Sequence, residues 1–214
     1  MNVSPEILPR LIQAVADTIE KNAEEVTQLD QAIGDGDHVV NLQRGIHALQ
    51  AQSAEIAQTD WVGALQKIGM TLMSTVGGAS GSLYGTLFVA MSKSLRDKPV
   101  DRQRFADAFA QGVESVKLRG RADAGEKTML DVLIPAAQSL QKSAAASEGL
   151  KESLAEIVRT AEAGVEATRN MLATKGRASF LGERTLGHLD AGAKTAQLMI
   201  SAIAEALASS AAPT

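Results

Sequence analysis

The chain is 214 residues long, 45% hydrophobic, carries a formal net charge of −4 and has no cysteine. That length builds one domain, or at most two small ones, with a substantial core, and the missing cysteine excludes a disulfide framework, a thiol nucleophile and a thiolate metal site. Lys and Arg are scattered, which speaks against nucleic acid as a ligand; the N-terminus M-N-V-S-P-E-I-L-P-R has no leader-like pattern and no apolar run reaches membrane-spanning length, so a cytoplasmic protein without a membrane partner is expected.

Aromatic residues make up only 3% of the chain, and Ala, Leu, Ile, Val and Met carry its apolar faces, a mixture that packs helices better than it builds sheets. A first helix is predicted from Ser4 as N-cap and Pro5 at the first helical position, with Leu8, Leu11, Ile12, Val15, Ile19, Val26 and Leu29 at helical spacing until Gly34 ends it. A second follows with Leu42, Ile46 and Leu49 on one face. Asp60 is placed to cap a third, which runs through Leu65, Ile68 and Leu72 to the break at Gly77-Gly78, and a fourth spans Ser80 to Ser94. Asp101 is placed to cap a fifth, carrying Phe105, Phe109, Val113 and Val116 and stopping before Gly120. A sixth is predicted from Thr128 toward Ser143 with a bend at Pro135. A seventh covers Lys151 to Lys175 and, after a long loop, a last one covers Ala193 to Ala208. About eight helices without a strand imply an all-α, antiparallel up-and-down bundle or barrel. No linker or repeat divides residues 1–214, so one domain is expected.

In an up-and-down arrangement every second loop lies at the same end. The loop after the first helix, the break after the third, the 120s loop and the loop after the seventh therefore share an end, and these four are the chemically unusual segments. The first of them, L-D-Q-A-I-G-D-G-D-H-V-V-N, brings Asp30, Asp35 and Asp37 together in a stretch between Lys21 and Arg44 that holds five acidic residues and no basic one. Asp30 sits near a helix C-terminus, where the macrodipole disfavours negative charge. Solvated loop acids are one reading, and a bound divalent cation is the favoured one; oxygen ligands without cysteine select Mg2+ or Ca2+, and Mg2+ commonly shares its shell with phosphates. An EF-hand is excluded, because counting from Asp35 places Val39, Val40 and Ile46 where a ligand, a turn glycine and a bidentate glutamate belong.

The run V-G-G-A-S-G reads either as a plain helix–helix turn with Ser80 as N-cap or as an anion site in which glycines expose backbone N–H groups at a helix N-terminus. Gly120 to Thr128, G-R-A-D-A-G-E-K-T, nearly matches a P-loop, but Glu126 intrudes before the lysine and the preceding segment is helical, so it is rejected as one. It is expected instead to be a mobile edge, with Met129 as a soft apolar face for an adenine ring. The loop after the seventh helix carries Lys175, Arg177, Arg184 and Lys194 beside Glu183, His188 and Asp190. It reads either as an ordered lid bearing an arginine for phosphate charge or as a surface salt-bridge patch. His47 falls inside the second helix, whereas His38 adjoins the carboxylates.

Taken together, D-x4-D-x-D-H-x-x-N, G-M-T-L-M-S-T-V-G-G-A-S-G, G-E-K-T-M-L-D-V-L and K-G-R-A-S-F-L-G-E-R-T-L-G-H-L-D-A-G resemble the nucleotide-binding L subunit of dihydroxyacetone kinase, over nearly the whole chain and in the family's order. The resemblance implies a barrel of antiparallel helices with ADP or ATP and two Mg2+ ions at one end. It implies Asp30, Asp35 and Asp37 as metal ligands, and His38, Val39, Val40, Asn41, Ala79, Ser80, Gly120, Met129, Arg177 and the corner Asp190, Ala191 and Gly192 as the nucleotide's neighbours. Many members carry proline where this chain has Ala191, which implies a less rigid corner.

The implied reaction is phosphoryl transfer to dihydroxyacetone held covalently by a histidine of a separate K subunit, with Arg177 assisting as the catalytic basic residue. A free-standing L chain most resembles the phosphotransferase-system form, in which bound ADP is rephosphorylated by a phosphohistidine on an M subunit. The alternatives are an ATP-dependent kinase subunit for another short ketose or tetrose, a nucleotide-sensing partner of a transcriptional regulator, and a metal-dependent phosphatase acting on a small phosphate ester.

Overall fold

The computed structural model describes residues 4–97 and 99–210. After a 3-10 turn at Pro5–Ile7 come α1 (Leu8–Lys21), α2 (Ala23–Ile33), α3 (His38–Ala57), α4 (Trp61–Thr75), α5 (Gly78–Leu95), α6 (Arg102–Gly120), α7 (Leu130–Ala145), α8 (Leu150–Ala167) and α9 (Ala191–Ser210). No strand occurs among the described residues. The expected caps form where a carboxylate precedes a helix: Asp60 Oδ1 accepts from the Gly63 amide at 2.7 Å and Asp101 Oδ1 from the Arg104 amide at 2.8 Å.

Three helix limits differ from the sequence expectation. The first helix is two, because at Asn22 the side-chain amide donates to the Thr18 carbonyl at 2.8 Å and competes with the helical ladder. Ser4 does not cap; its hydroxyl meets Glu6 instead. The seventh helix of the sequence reading ends at Ala167, eight residues early, and tightens into a 3-10 turn at Thr168–Asn170. There the Thr168 carbonyl is claimed by the Lys127 ammonium at 2.6 Å, a contact from across the molecule. As the sequence reading has it, α7 runs on through Pro135.

The helices pack as a closed ring: α1 on α3, then α4, α5, α6, α7, α8 and α9 in turn, with α9 returning to α1. The result is an eight-helix barrel among the described residues, with α2 extending α1 and lying on α3 and α9. One cluster of buried side chains fills it, with members from every helix, among them Ile19, Val26, Leu42, Ile68, Leu87, Val116, Val132, Val165 and Leu198. No helix among the described residues is long and apolar enough to cross a membrane. Up-and-down order sets the joints α2–α3, α4–α5, α6–α7 and α8–α9 at one end, as the alternation of the sequence requires.

Helices α4 and α5 approach each other across a facing pair of glycines. A Cβ on Gly69 would lie 2.9 Å from the Gly85 carbonyl oxygen, and one on Gly85 would lie 2.8 Å from the Gly69 carbonyl oxygen. Backbone atoms cannot rotate away, so Gly85→Ala should force the helices apart and lower stability by about 1–3 kcal/mol in urea denaturation. Gly120→Ala is the control: its Cβ would make ordinary contacts with the side chains of Leu83 at 3.4 Å and Ala122 at 3.9 Å, and stability should hold or rise slightly.

Candidate functional site

The acidic loop is shaped by two glycines. Gly34 ends α2 with its amide on the Asp30 carbonyl, and any side chain on it would overlap the Asp30 carboxylate; Gly36 takes φ 78, open to glycine. Asp30, in the last turn of α2, is thereby folded over the loop, and its Oδ2 accepts from the His38 amide at 3.1 Å. Carboxylate oxygens of Asp30, Asp35 and Asp37 lie within 4.8 Å of one another. Two oxygens on opposite sides of one Mg2+ ion stand about 4 Å apart, so the donor set fits a hard divalent cation. Among the described residues, the side-chain cation paired with these three acids is Arg177, whose Nε is 2.6 Å from Asp35 Oδ2.

Beside this cluster three helix amino ends meet. His38 opens α3; its Nδ1 is 3.2 Å from the Ser80 hydroxyl in the first turn of α5, and its Nε2 is 2.9 Å from the Thr195 hydroxyl in the second turn of α9. Ser80 is therefore not the N-cap of α5, a place taken by Gly77. Its hydroxyl is turned to His38. Burial lowers the His38 pKa from its ordinary value, outweighing the opposite pull of Asp30, Asp37 and Asp35, so the ring is neutral at neutral pH. Val39 is in the core, Val40 faces solvent, and Asn41 is half-buried with its amide group against Gly77. Ala79 is exposed in the first turn of α5. Free N–H groups at such ends favour an anion.

The other two loops are bolted together. Asp131 accepts from the amides of Gly125 (2.5 Å) and Thr128 (2.8 Å), and Glu126 meets Thr174 at 2.8 Å and Lys175 at 3.3 Å. Lys127 is only 2% exposed, and its Nζ donates to the carbonyls of Thr168 and His188. The 120s loop is thus pinned instead of mobile, and Met129 is buried beneath it, facing Gly192. Gly120 ends α6 at its edge. Asp190 caps α9 through the Ala193 amide at 2.7 Å while its own amide donates to the Thr168 hydroxyl at 3.1 Å. Ala191 then occupies the first helical position, where a proline would also fit. Within the α8–α9 loop runs a 3-10 segment, Arg177–Thr185, broken at Gly182, with Arg177 and Phe180 exposed on it. Part of the loop is also the salt-bridge patch of the alternative reading, since Lys175 and Lys194 pair with Glu126 and Glu25.

The structure thus brings the residues singled out in the sequence to one end of the barrel, whereas His47 lies exposed midway along α3. Lys127, Asp131, Thr168 and Thr195 join them without having been singled out. Lys127 carried one signal, as the lysine of the rejected P-loop; the threonines carried none, because only helix packing makes them partners.

Part of Asp190 reaches solvent, yet its carboxyl is enclosed, and burial pushes it up to about 6 against the Ala193 amide and Lys127. The unfolded chain releases this proton near 3.8, so between 3.8 and about 6 the folded state holds a proton that the unfolded state has lost. Asp190 therefore subtracts from stability as pH rises through that window, and the loss is complete above it. Asp190→Asn keeps the cap, so its stability relative to wild type should grow from pH 3.8 to about 6 and level off beyond, in urea titrations with chelator present.

A family model described as DAK2 domain matches residues 32–205. The chain is 39% identical to the PEP-dependent dihydroxyacetone kinase 1 ADP-binding subunit DhaL of Listeria innocua, over 91% of this chain and 92% of that protein. It is 35% identical to the PEP-dependent dihydroxyacetone kinase ADP-binding subunit DhaL of Escherichia coli, over 95% and 98%. Similarity to the triokinase/FMN cyclase of Mus musculus is 34% over 96% of this chain but 36% of that protein. Among solved structures, the native dihydroxyacetone kinase of C. freundii aligns with a TM-score of 0.72 at 26% identity, over 93% of this chain and 34% of that one. Its complex with AMP-PNP and Mg2+ gives 0.71 at 24% identity, over 93% and 33%, a likeness of fold.

Proposed function

The chain belongs to the DAK2 domain family, and on that premise we propose that residues 1–214 form one nucleotide-binding unit, the ADP-binding subunit of a dihydroxyacetone kinase, a phosphotransferase with an alcohol group as acceptor. The observation that carries this reading is the meeting of a three-carboxylate cluster with the amino ends of α3, α5 and α9. One half of such a site suits a divalent cation and the other suits phosphate oxygens.

In this reading the backbone at His38, Val39, Val40 and Asn41 and at Ala79 and Ser80 takes the phosphates. Gly120, Met129 and the corner Asp190, Ala191 and Gly192 border the rest of the nucleotide. Asp30, Asp35 and Asp37 hold Mg2+, two ions by the family likeness, which when bound neutralises charge between the phosphates. Arg177 lies against Asp35 on an exposed segment flanked by Gly176 at φ 61, and its planar guanidinium is suited to the equatorial oxygens of a transferring phosphoryl group. Arg177→Ala should lower turnover on the order of a hundredfold while ADP affinity falls far less. Asp35→Ala should instead weaken Mg-ADP binding and abolish the melting-temperature rise that excess Mg-ADP gives the wild type. Unchanged Mg-ADP affinity of Asp35→Ala in titration calorimetry would sink the metal assignment.

The acceptor, dihydroxyacetone, is held by a separate K subunit docked on this end. Large apolar side chains stand in solvent around it: Val40 on α3, Met73 on α4, Leu118 on α6, and Leu172, Phe180 and Leu186 on the α8–α9 loop, Phe180 at 87% exposure. Relatives that this chain spans almost entirely are named as PEP-dependent and PTS-dependent subunits. This favours rephosphorylation of bound ADP by a phosphohistidine protein, the M subunit, over exchange with free ATP. Purified chain should therefore turn over dihydroxyacetone only when a K subunit is added, and Phe180→Asp should weaken that complex about tenfold or more while Mg-ADP binding is kept. Robust turnover by the chain alone would overturn the two-subunit reading.

A further inference from the structure

Large apolar side chains that stand in solvent at the site end come with arginines beside them. On α3, Val40 and Arg44 are four residues apart and so share a face, and both are exposed. At the end of α6, Leu118 is 79% exposed and is followed by Arg119 and by Arg121, the residue that stops the helix at φ 49. On the α8–α9 loop, Arg184 lies between Phe180 and Leu186 in sequence, all three in solvent. The same pairing recurs on three elements that only the barrel brings to one rim.

Among the described residues these four guanidinium groups have no carboxylate partner. Arg44 donates to the Asn41 side-chain oxygen at 3.3 Å and Arg119 to the Ser82 hydroxyl at 2.8 Å, both of them neutral acceptors. The neighbouring acids are committed elsewhere: Asp123 to Lys117, Glu126 to Lys175, Glu166 to Arg169 and Asp35 to Arg177. Outside the metal cluster, Glu183 is an exposed acid of this rim without such a cation among the described residues. The chain as a whole carries −4, so unmatched arginines here are not the overflow of a basic protein.

Arginine is always charged yet weakly hydrated, and with large apolar side chains it is enriched in docking faces. A second copy docked face to face would set these arginines against their own equivalents. A nucleic-acid backbone would meet Asp30, Asp35 and Asp37 at the same end. A protein surface that carries carboxylates around an apolar patch meets neither penalty.

We propose that the subunit holding the acceptor presents an acidic face, and that Arg44, Arg119, Arg121 and Arg184 steer it onto this end. The inference rests on the two-subunit reading above and adds the chemistry of the partner's surface. Attraction between such faces acts before contact and is screened by salt, so it raises the rate of encounter more than the lifetime of the complex.

The test is stopped-flow association of the full chain, loaded with Mg-ADP, with its K subunit at increasing NaCl. The association rate constant should fall about tenfold between about 0.05 and about 0.5 M NaCl. The double reversal Arg121→Glu/Arg184→Glu should lower it about tenfold at low salt, while the dissociation rate constant and Mg-ADP affinity change less than about twofold. Arg96→Glu, an exposed residue at the α5–α6 joint of the opposite end, should leave it at the wild-type value. A rate constant indifferent to salt or to the double reversal, or raised by that reversal, overturns the acidic partner; if Phe180→Asp still weakens the complex, the two-subunit reading stands. Self-association, or binding of duplex DNA, that the double reversal removes gives the rim another occupant and overturns the inference too. No complex with the K subunit overturns both readings.

Discussion

A lysine ammonium taken out of water is costly unless carbonyls and carboxylates replace the hydration it loses. Lys127 meets that demand with the carbonyls of Thr168 and His188 and with the nearby charges of Asp190 and Asp131. Its partners come from both sides of the α8–α9 loop, so satisfying one ammonium fixes where α8 stops, where α9 starts and how the 120s loop lies against them. Even the backbone of Lys127, at φ 58, is held in the left-handed region by these contacts. The floor of the site is built on this tie.

Opposite signs are kept side by side above that floor. The amino ends of α3, α5 and α9 present positive dipole ends, and Asp30, Asp35 and Asp37 put three carboxylates next to them. Among the described residues, the cation paired with these acids is Arg177, whose own side chain is largely exposed. A ligand carrying both a divalent cation and phosphates matches the two halves at once, where either alone would match one.

Rigidity and reach are divided between loops. The 120s loop is held by Asp131, Lys127 and Glu126 and can only act as a wall. The segment from Arg177 to Thr185, by contrast, is flanked and interrupted by glycines at positive φ and displays a guanidinium and a phenyl ring to solvent. That contrast leaves a fixed wall on one side of the site and an exposed, glycine-hinged segment on the other.

The sequence by itself determined the features that depend on neighbours within a turn or two: helical spacing from Leu8 onward, the caps at Asp60 and Asp101, the breaks at Gly34 and Gly77, and the gathering of Asp30, Asp35 and Asp37 in one loop. Alternation of helix and loop then placed the unusual loops at one end, a matter of topology alone. The division at Asn22 escaped because a side-chain amide bond to the previous turn leaves the apolar spacing intact. Tertiary structure decided the partners far apart in the chain. The early end of α8, the burial of Lys127, and the line from Ser80 through His38 to Thr195 exist only once the ring closes. Such contacts join residues separated by as many as 157 positions, and no local periodicity encodes which buried threonine will face which histidine.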